Sequence, residues 1–166
     1  EFTEQGLNLK TAGVDFLLIE TMGRIDETES VLVATESLKL PRWVSFILED
    51  SEHLFGGDRL QDALSMIANF NVKIALLNCT DTEITLKGVR VIKQFWHGQW
   101  GVYPNLGLGE VSIDGNISVT ISDTVFKTAI RRYIDQGASV IGTCCGSNPN
   151  HTQTIRQLLT KDNTDK

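Results

Sequence analysis

Short runs rich in β-branched and apolar residues alternate along this chain with longer segments of helical spacing, and that alternation constrains the fold more than any other feature. After a helix around residues 2–12, strands are predicted at VDFLLIE (14–20), RWVSFIL (42–48), VKIALLN (72–78), QWGVYP (99–104) and ASVIGT (138–143). Each gap is long enough for one helix, as a connection between parallel strands requires. Helix starts are marked by Asp26 with Glu29 three residues on, by Asp58 after Gly56-Gly57, by Ser122, and by Asn148 before Pro149. The expected class is α/β, with residues 1–160 as one domain and 161–166 as a polar tail. LGLGEVSIDGNISVTIS (106–122) has no helical period and is expected to be a functional loop or lid. A closed (β/α)₈ barrel takes roughly 250 residues. Five strands in 166 residues therefore mean either an open sheet or part of a barrel, with edges near 14–20 and 138–143 available for self-association.

Polar residues gather where these strands end. Glu20 and Thr21 close the first, Asn78 and Cys79 the third, Tyr103, Pro104 and Asn105 the fourth, and Cys144 and Cys145 the last. In βα architectures that end carries the chemistry. Fifteen basic and twenty-one acidic residues, a net charge of −6 and no basic stripe argue against a nucleic-acid partner. The longest apolar runs are too short to span a bilayer, and the amino terminus lacks the order of a signal peptide, so a cytoplasmic location without membrane contact is expected. In such a reducing compartment three cysteines are more often ligands or nucleophiles than disulfide halves.

Neighbouring residues on a strand face opposite ways, so Cys144 and Cys145 converge only if the backbone turns, and Gly142 and Gly146 are placed to allow it. A disulfide between adjacent residues needs a strained ring and is disfavoured. Zinc binds thiolate at about 2.3 Å, and three protein ligands with an open fourth position mark a catalytic site. Cys79, at the end of another strand, is the candidate third ligand; the competing reading is three small buried hydrophobes. His53 and His97 read as solvated, and His151 as a cap or an outer partner of the site.

Together these motifs resemble the homocysteine S-methyltransferase family, which includes betaine-homocysteine and S-methylmethionine-dependent enzymes and the homocysteine-binding module of methionine synthase. GVDFLLIET (13–21) is similar to the family's strand ending in glutamate, ALLNCT (75–80) to its asparagine-cysteine motif, GVYPNLG (101–107) to its tyrosine-proline-asparagine segment, and GASVIGTCCGSNPNHT (137–152) to its double-cysteine ending. Thr143 replaces the family's second glycine, and Ser147 a threonine. The resemblance implies a (β/α)₈ TIM barrel of which this chain supplies the fourth to eighth strands. It implies Zn2+ on Cys79, Cys144 and Cys145, and methyl transfer from a small donor to homocysteine, as in methionine biosynthesis. It also implies that Glu20 pairs with the substrate's ammonium group. Asn78 and Asn105 are expected near the substrate chiefly as loop braces through backbone hydrogen bonds, and Tyr103 as a pocket residue or a packing one. The alternatives are a non-catalytic zinc-binding fragment that needs its first strands from elsewhere, and a thiol redox protein, against which the lack of a CxxC motif argues.

Overall fold

The computed structural model of the chain describes residues 1–108, 112, 113, 117 and 119–162. Strands β1 (Leu17–Met22), β2 (Arg42–Phe46), β3 (Val72–Asn78), β4 (Gln99–Tyr103) and β5 (Val140–Ile141) pair in parallel in one sheet of order β1-β2-β3-β4-β5. Helix α1 (Phe2–Thr11) precedes the sheet. Helices α2 (Ile25–Thr35), α3 (Leu60–Ile67), α4 (Thr82–Phe95), α5 (Asp123–Asp135) and α6 (Pro149–Asp162) follow the five strands in turn. The strand order never reverses, so the sheet has no doubly wound switch point, and right-handed crossovers put successive helices on one face. There Ile19, Val44, Phe46, Ala75, Leu77 and Val102 pack with Leu32, Leu64, Ile92, Phe126 and Ile130 into a single core. Alternation along the strands turns Leu18, Glu20, Trp43, Ser45, Asn78 and Tyr103 to the face away from those helices. This is the winding of a barrel left open along one side.

The strand at 72–78 falls where its apolar pattern places it; the others shift where tertiary hydrogen bonding decides. β1 begins at Leu17 because its amide makes the first cross-strand bond, to Pro41 O at 2.9 Å, while Phe16 stays outside and stacks on Trp43 at 4.2 Å. It also runs beyond Glu20 to Met22, through an irregularity at Glu20-Thr21 where the register with β2 breaks. β2 stops at Phe46, since Ile47 O accepts from Phe55 N–H and Leu48 bridges to Leu54 in the following loop. Pro104 lies just outside β4. β5 is reduced to Val140–Ile141, because Ala138 N–H instead closes α5 on Tyr133 O. In the 106–122 connection, Gly107 and Thr120 form an antiparallel bridge; residues 109–111, 114–116 and 118 of the expected lid lie outside the described residues. α6 continues to Asp162, into the segment expected to be a tail, and 163–166 also lie outside the described residues.

Ser122 caps α5 by accepting from Val125 N–H, and Asn148 caps α6 by accepting from Asn150 N–H at 2.9 Å. Asp26 is not a cap: it stands inside α2, where it pairs with Arg24 at 2.9 Å and takes Glu27 N–H. Asp58 does not start α3, which begins at Leu60; its carboxylate instead accepts Ile25 N–H at 2.8 Å across the loop, capping α2 from outside. Asp81, which the sequence pattern did not single out, caps α4 through Glu83 and Ile84 N–H. Because Asp58 satisfies a helix amide from a different element, Asp58→Ala is expected to lower stability by about 1 kcal/mol. A fall in the urea midpoint at unchanged slope would show it.

Candidate metal centre

Cys79 follows β3 and Cys144 and Cys145 follow β5, so β4 lies between them. Neighbouring strands stand about 4.8 Å apart, and the thiols meet only because the loops lean over the end of β4. The segment Tyr103 to Leu106 draws them in from both sides. Tyr103 O accepts Cys79 N–H at 3.2 Å and Asn105 N–H donates to Thr80 O at 2.9 Å. On the other side Pro104 O accepts Cys144 N–H at 2.9 Å and Leu106 N–H donates to Cys145 O at 2.8 Å. Asn105 braces the same segment, its Oδ1 accepting Gly107 N–H at 2.8 Å.

Two backbone conformations finish the convergence. Gly146 has φ +74°, and a Cβ there would sit 2.7 Å from Gly107 N, so both the turn and the close approach require glycine. Gly142 is not a left-handed turn; a Cβ there would meet Tyr103 Cβ at 3.1 Å, so its smallness lets β5 approach β4. Cys79 is left-handed at φ +50°, a strained state for a non-glycine residue that costs of order 1–3 kcal/mol and collects at functional sites. Thr80, buried behind it, accepts Leu48 N–H at 2.9 Å and donates to Asn78 O at 3.0 Å.

The three sulfur atoms lie within 4.8 Å of one another. Cys145 Sγ is 3.9 Å from both Cys79 Sγ and Cys144 Sγ, and Cys79 and Cys144 are joined as a disulfide. Tetrahedral zinc with bonds of about 2.3 Å sets its sulfur ligands about 3.8 Å apart. The two separations to Cys145 match that spacing, and the third pair must be reduced before all three sulfurs can serve as thiolates. Cys145 is exposed, as a centre that takes a substrate at its open position requires.

Beside the thiols, a polar network crosses the strand ends. Ser45 Oγ accepts Thr21 N–H at 3.0 Å and the Tyr103 hydroxyl at 2.6 Å. Asn78 donates Nδ2–H to Thr21 Oγ1 at 2.7 Å, so it braces through a side chain and not through backbone. Its Oδ1 is buried without a hydrogen-bond partner among the described residues, immediately before Cys79. The two side-chain pairs link alternate strands, Tyr103 of β4 with Ser45 of β2 and Asn78 of β3 with Thr21 of β1, as side chains do within one layer of a barrel interior. Glu20 is exposed at the open edge, next to the Tyr103 hydroxyl. Ser45 and Thr80 were not distinguished in the sequence, since a serine in RWVSFIL or a threonine after Asn-Cys has no local signature of a long-range bond. His53 pairs with Asp50 at 3.0 Å on the surface and His97 is exposed. His151 Nδ1 accepts Asn148 N–H at 3.0 Å, completing a capping box at the start of α6.

Burial, with the nearby charge of Glu20 adding and the Ser45 bond opposing, raises the Tyr103 hydroxyl above its ordinary value. Burial, then the charges of Asp81 and Glu83, does the same for Tyr133, whose hydroxyl donates to Thr82 O at 2.9 Å. Unfolded tyrosine ionises near 10.0 and the folded chain binds these protons longer, so folded stability falls as pH rises above that value. These are the chain's two tyrosines. In an alkaline titration, tyrosinate absorbance is expected to rise together with loss of the circular dichroism signal; tyrosinate forming near pH 10 in a still folded chain would contradict the burial argument.

A singly wound βα sheet with three cysteines gathered at the carboxyl ends of its strands has the form of an open βα barrel, the architecture in which that end carries the chemistry. The chain belongs to the homocysteine S-methyltransferase family, whose profile matches residues 1–159. It is 31% identical over 160 residues to homocysteine S-methyltransferase of Escherichia coli K12, covering 85% of this chain and 46% of that one. With homocysteine S-methyltransferase 2 of Arabidopsis thaliana it shares 26% over 159 residues, covering 91% of this chain and 47% of the other. The chain thus spans about half the length of the curated relatives it matches. Among solved structures, the oxidised form of the E. coli homocysteine methyltransferase MmuM superposes with a TM-score of 0.78 at 25% identity, over 95% of this chain and 51% of that one. Its metallated form gives 0.75 over the same shares. A dihydrodipicolinate synthase, at 10% identity and TM-score 0.60 over 93% of this chain and 53% of its own, shares the fold alone. The five strands are therefore part of a TIM barrel.

Proposed function

We propose that this chain carries the zinc centre and the homocysteine side of a homocysteine S-methyltransferase. The observation that carries the reading is the convergence of Cys79, Cys144 and Cys145 within 4.8 Å at the mouth of the sheet, with one of them exposed. Zinc, when bound, keeps a substrate thiol deprotonated near neutral pH and supplies the nucleophile. The chain's own groups do the rest. Cys79, Cys144 and Cys145 would hold the ion as thiolates, Glu20 receives the ammonium of homocysteine, and Tyr103, protonated throughout the physiological range and donating to Ser45, lines the pocket beside that carboxylate. Asn78 and Asn105 hold the loops on which these groups ride. The methyl group passes from a small donor to the homocysteine sulfur, and methionine results. A cytoplasmic setting fits, because a reducing environment keeps Cys79 and Cys144 as thiols. No described helix is long and apolar enough to cross a membrane.

The open edge favours a second reading, in which this chain works only when the barrel is completed. A groove of about 330 Å³ runs along β1, lined by Phe2, Gly6 and Leu9 of α1, Leu18 and Glu20 of β1, and Val31 of α2. A closed barrel has eight strands and five are present among the described residues. A second copy would bring five more and overshoot, so a segment supplying three strands is the better fit to this edge than self-association. Incubating reduced, zinc-loaded chain with homocysteine and, in turn, S-methylmethionine, betaine, S-adenosylmethionine and methyl-folate tests both readings. Methionine with one donor supports activity of the chain as it stands. Homocysteine binding without methionine from any donor supports the need for completion.

A further inference from the structure

Glu20 stands in the one irregularity of β1, where bulged residues are re-aimed relative to a regular strand. The residue that makes the irregularity is Thr21, at φ +60°, a conformation rare for a β-branched side chain. It is held there from two directions: its N–H donates to Ser45 Oγ at 3.0 Å, and its Oγ1 accepts from Asn78 Nδ2 at 2.7 Å. Both partners are fully buried, and each ties β1 to the thiol side of the mouth. Asn78 immediately precedes Cys79, and Ser45 also takes the hydroxyl of Tyr103, whose carbonyl accepts Cys79 N–H. Tyr103 therefore joins the two sides, its hydroxyl meeting Ser45 and its carbonyl the amide of Cys79. A strained residue with two buried tethers persists because the surroundings over-determine it.

We propose that Ser45, Thr21 and Asn78 form a clamp that fixes the Glu20 carboxylate relative to the thiolate cluster, so that the site recognises a thiol and an ammonium group on one small molecule. The clamp rests on the reading that Glu20 receives the substrate's ammonium, and its members are positioning residues: Ser45 and Asn78 hold Thr21, the residue after Glu20, and none of the three is assigned to the substrate.

The test uses the reduced, zinc-loaded 166-residue chain and compares, by calorimetric titration, homocysteine with 4-mercaptobutyrate, which keeps thiol and carboxylate but lacks the ammonium. The wild-type chain is expected to prefer homocysteine by about tenfold or more, the scale of a charge-assisted contact, and Glu20→Gln to erase that preference. Ser45→Ala is expected to reduce it by at least about threefold, a fraction of that contact, while zinc per chain and 4-mercaptobutyrate affinity stay unchanged; a merely structural defect would lower both thiols together. Should Ser45→Ala lose zinc, Thr21→Val, which keeps the shape and removes the Asn78 acceptor, carries the same comparison. Wild-type preference in both variants overturns the clamp and leaves the reading of Glu20 standing. No preference in the wild-type chain, or one that survives Glu20→Gln, overturns the reading of Glu20 and the clamp with it.

Discussion

Replacing Cys145 with alanine in the reduced chain is expected to remove bound zinc, taking the content from about one ion per chain to none retained through dialysis. Loss of an outer partner of a metal ligand already costs about 10–100-fold in affinity, and loss of a direct thiolate exceeds that. Because Cys145 is exposed and packs in no core, the fold should survive. Cys144→Ala should abolish zinc equally, with a different oxidative behaviour. Cys145→Ala retains the Cys79–Cys144 pair and still forms its disulfide on oxidation, whereas Cys144→Ala cannot form it. Metal analysis with free-thiol titration reads both. Full zinc retention in either variant would remove the metal centre from the account.

Gly146→Ala should have the second largest effect, and it acts on the site through the backbone. Its φ of +74° disfavours any Cβ, and the added atom would stand 2.7 Å from Gly107 N and 3.0 Å from Gly107 Cα. Neither neighbour is a flexible side chain that can move aside. The two penalties together suggest a loss of about 2–4 kcal/mol. Relief requires the 144–146 turn to separate from the 104–107 segment, which breaks the Leu106 N–H to Cys145 O bond and parts the cysteines. A lower urea midpoint accompanied by loss of zinc is the expected result. A variant with unchanged stability and zinc content would show that the turn does not assemble the site.

The parts of this molecule that were legible in the sequence are those governed by local pattern. VKIALLN is apolar from Ile74 to Leu77 because β3 is a central strand, and its limits coincide with the prediction. Ser122 and Asn148 cap helices by contacts two or three residues away, which spacing reveals. The convergence of the three cysteines was legible because all three stand at strand ends. What was hidden depends on partners remote in the chain. Asp58 looked like the start of the helix beside it and serves Ile25 instead, and Ser45 looked like one polar residue in a strand and ties Thr21 to Tyr103. Strand limits moved for the same reason: at β5, the Ala138 amide was already taken by Tyr133 O. Nor does any spacing rule show that Tyr103 to Leu106 carries four backbone bonds, which bring β3's thiol over β4 to the pair after β5.

The central claim is that these three thiols form one metal centre that accepts an amino-acid thiol. Zinc analysis of the chain before and after reduction, with melting measured with and without homocysteine, tests it most directly. The expected result is about one zinc per reduced chain, none while Cys79 and Cys144 are disulfide-bonded, and a higher melting temperature with homocysteine only when zinc is present. A reduced chain with three free thiols that takes up no zinc would contradict it, and a disulfide cycling reversibly without metal would point to thiol redox chemistry in its place.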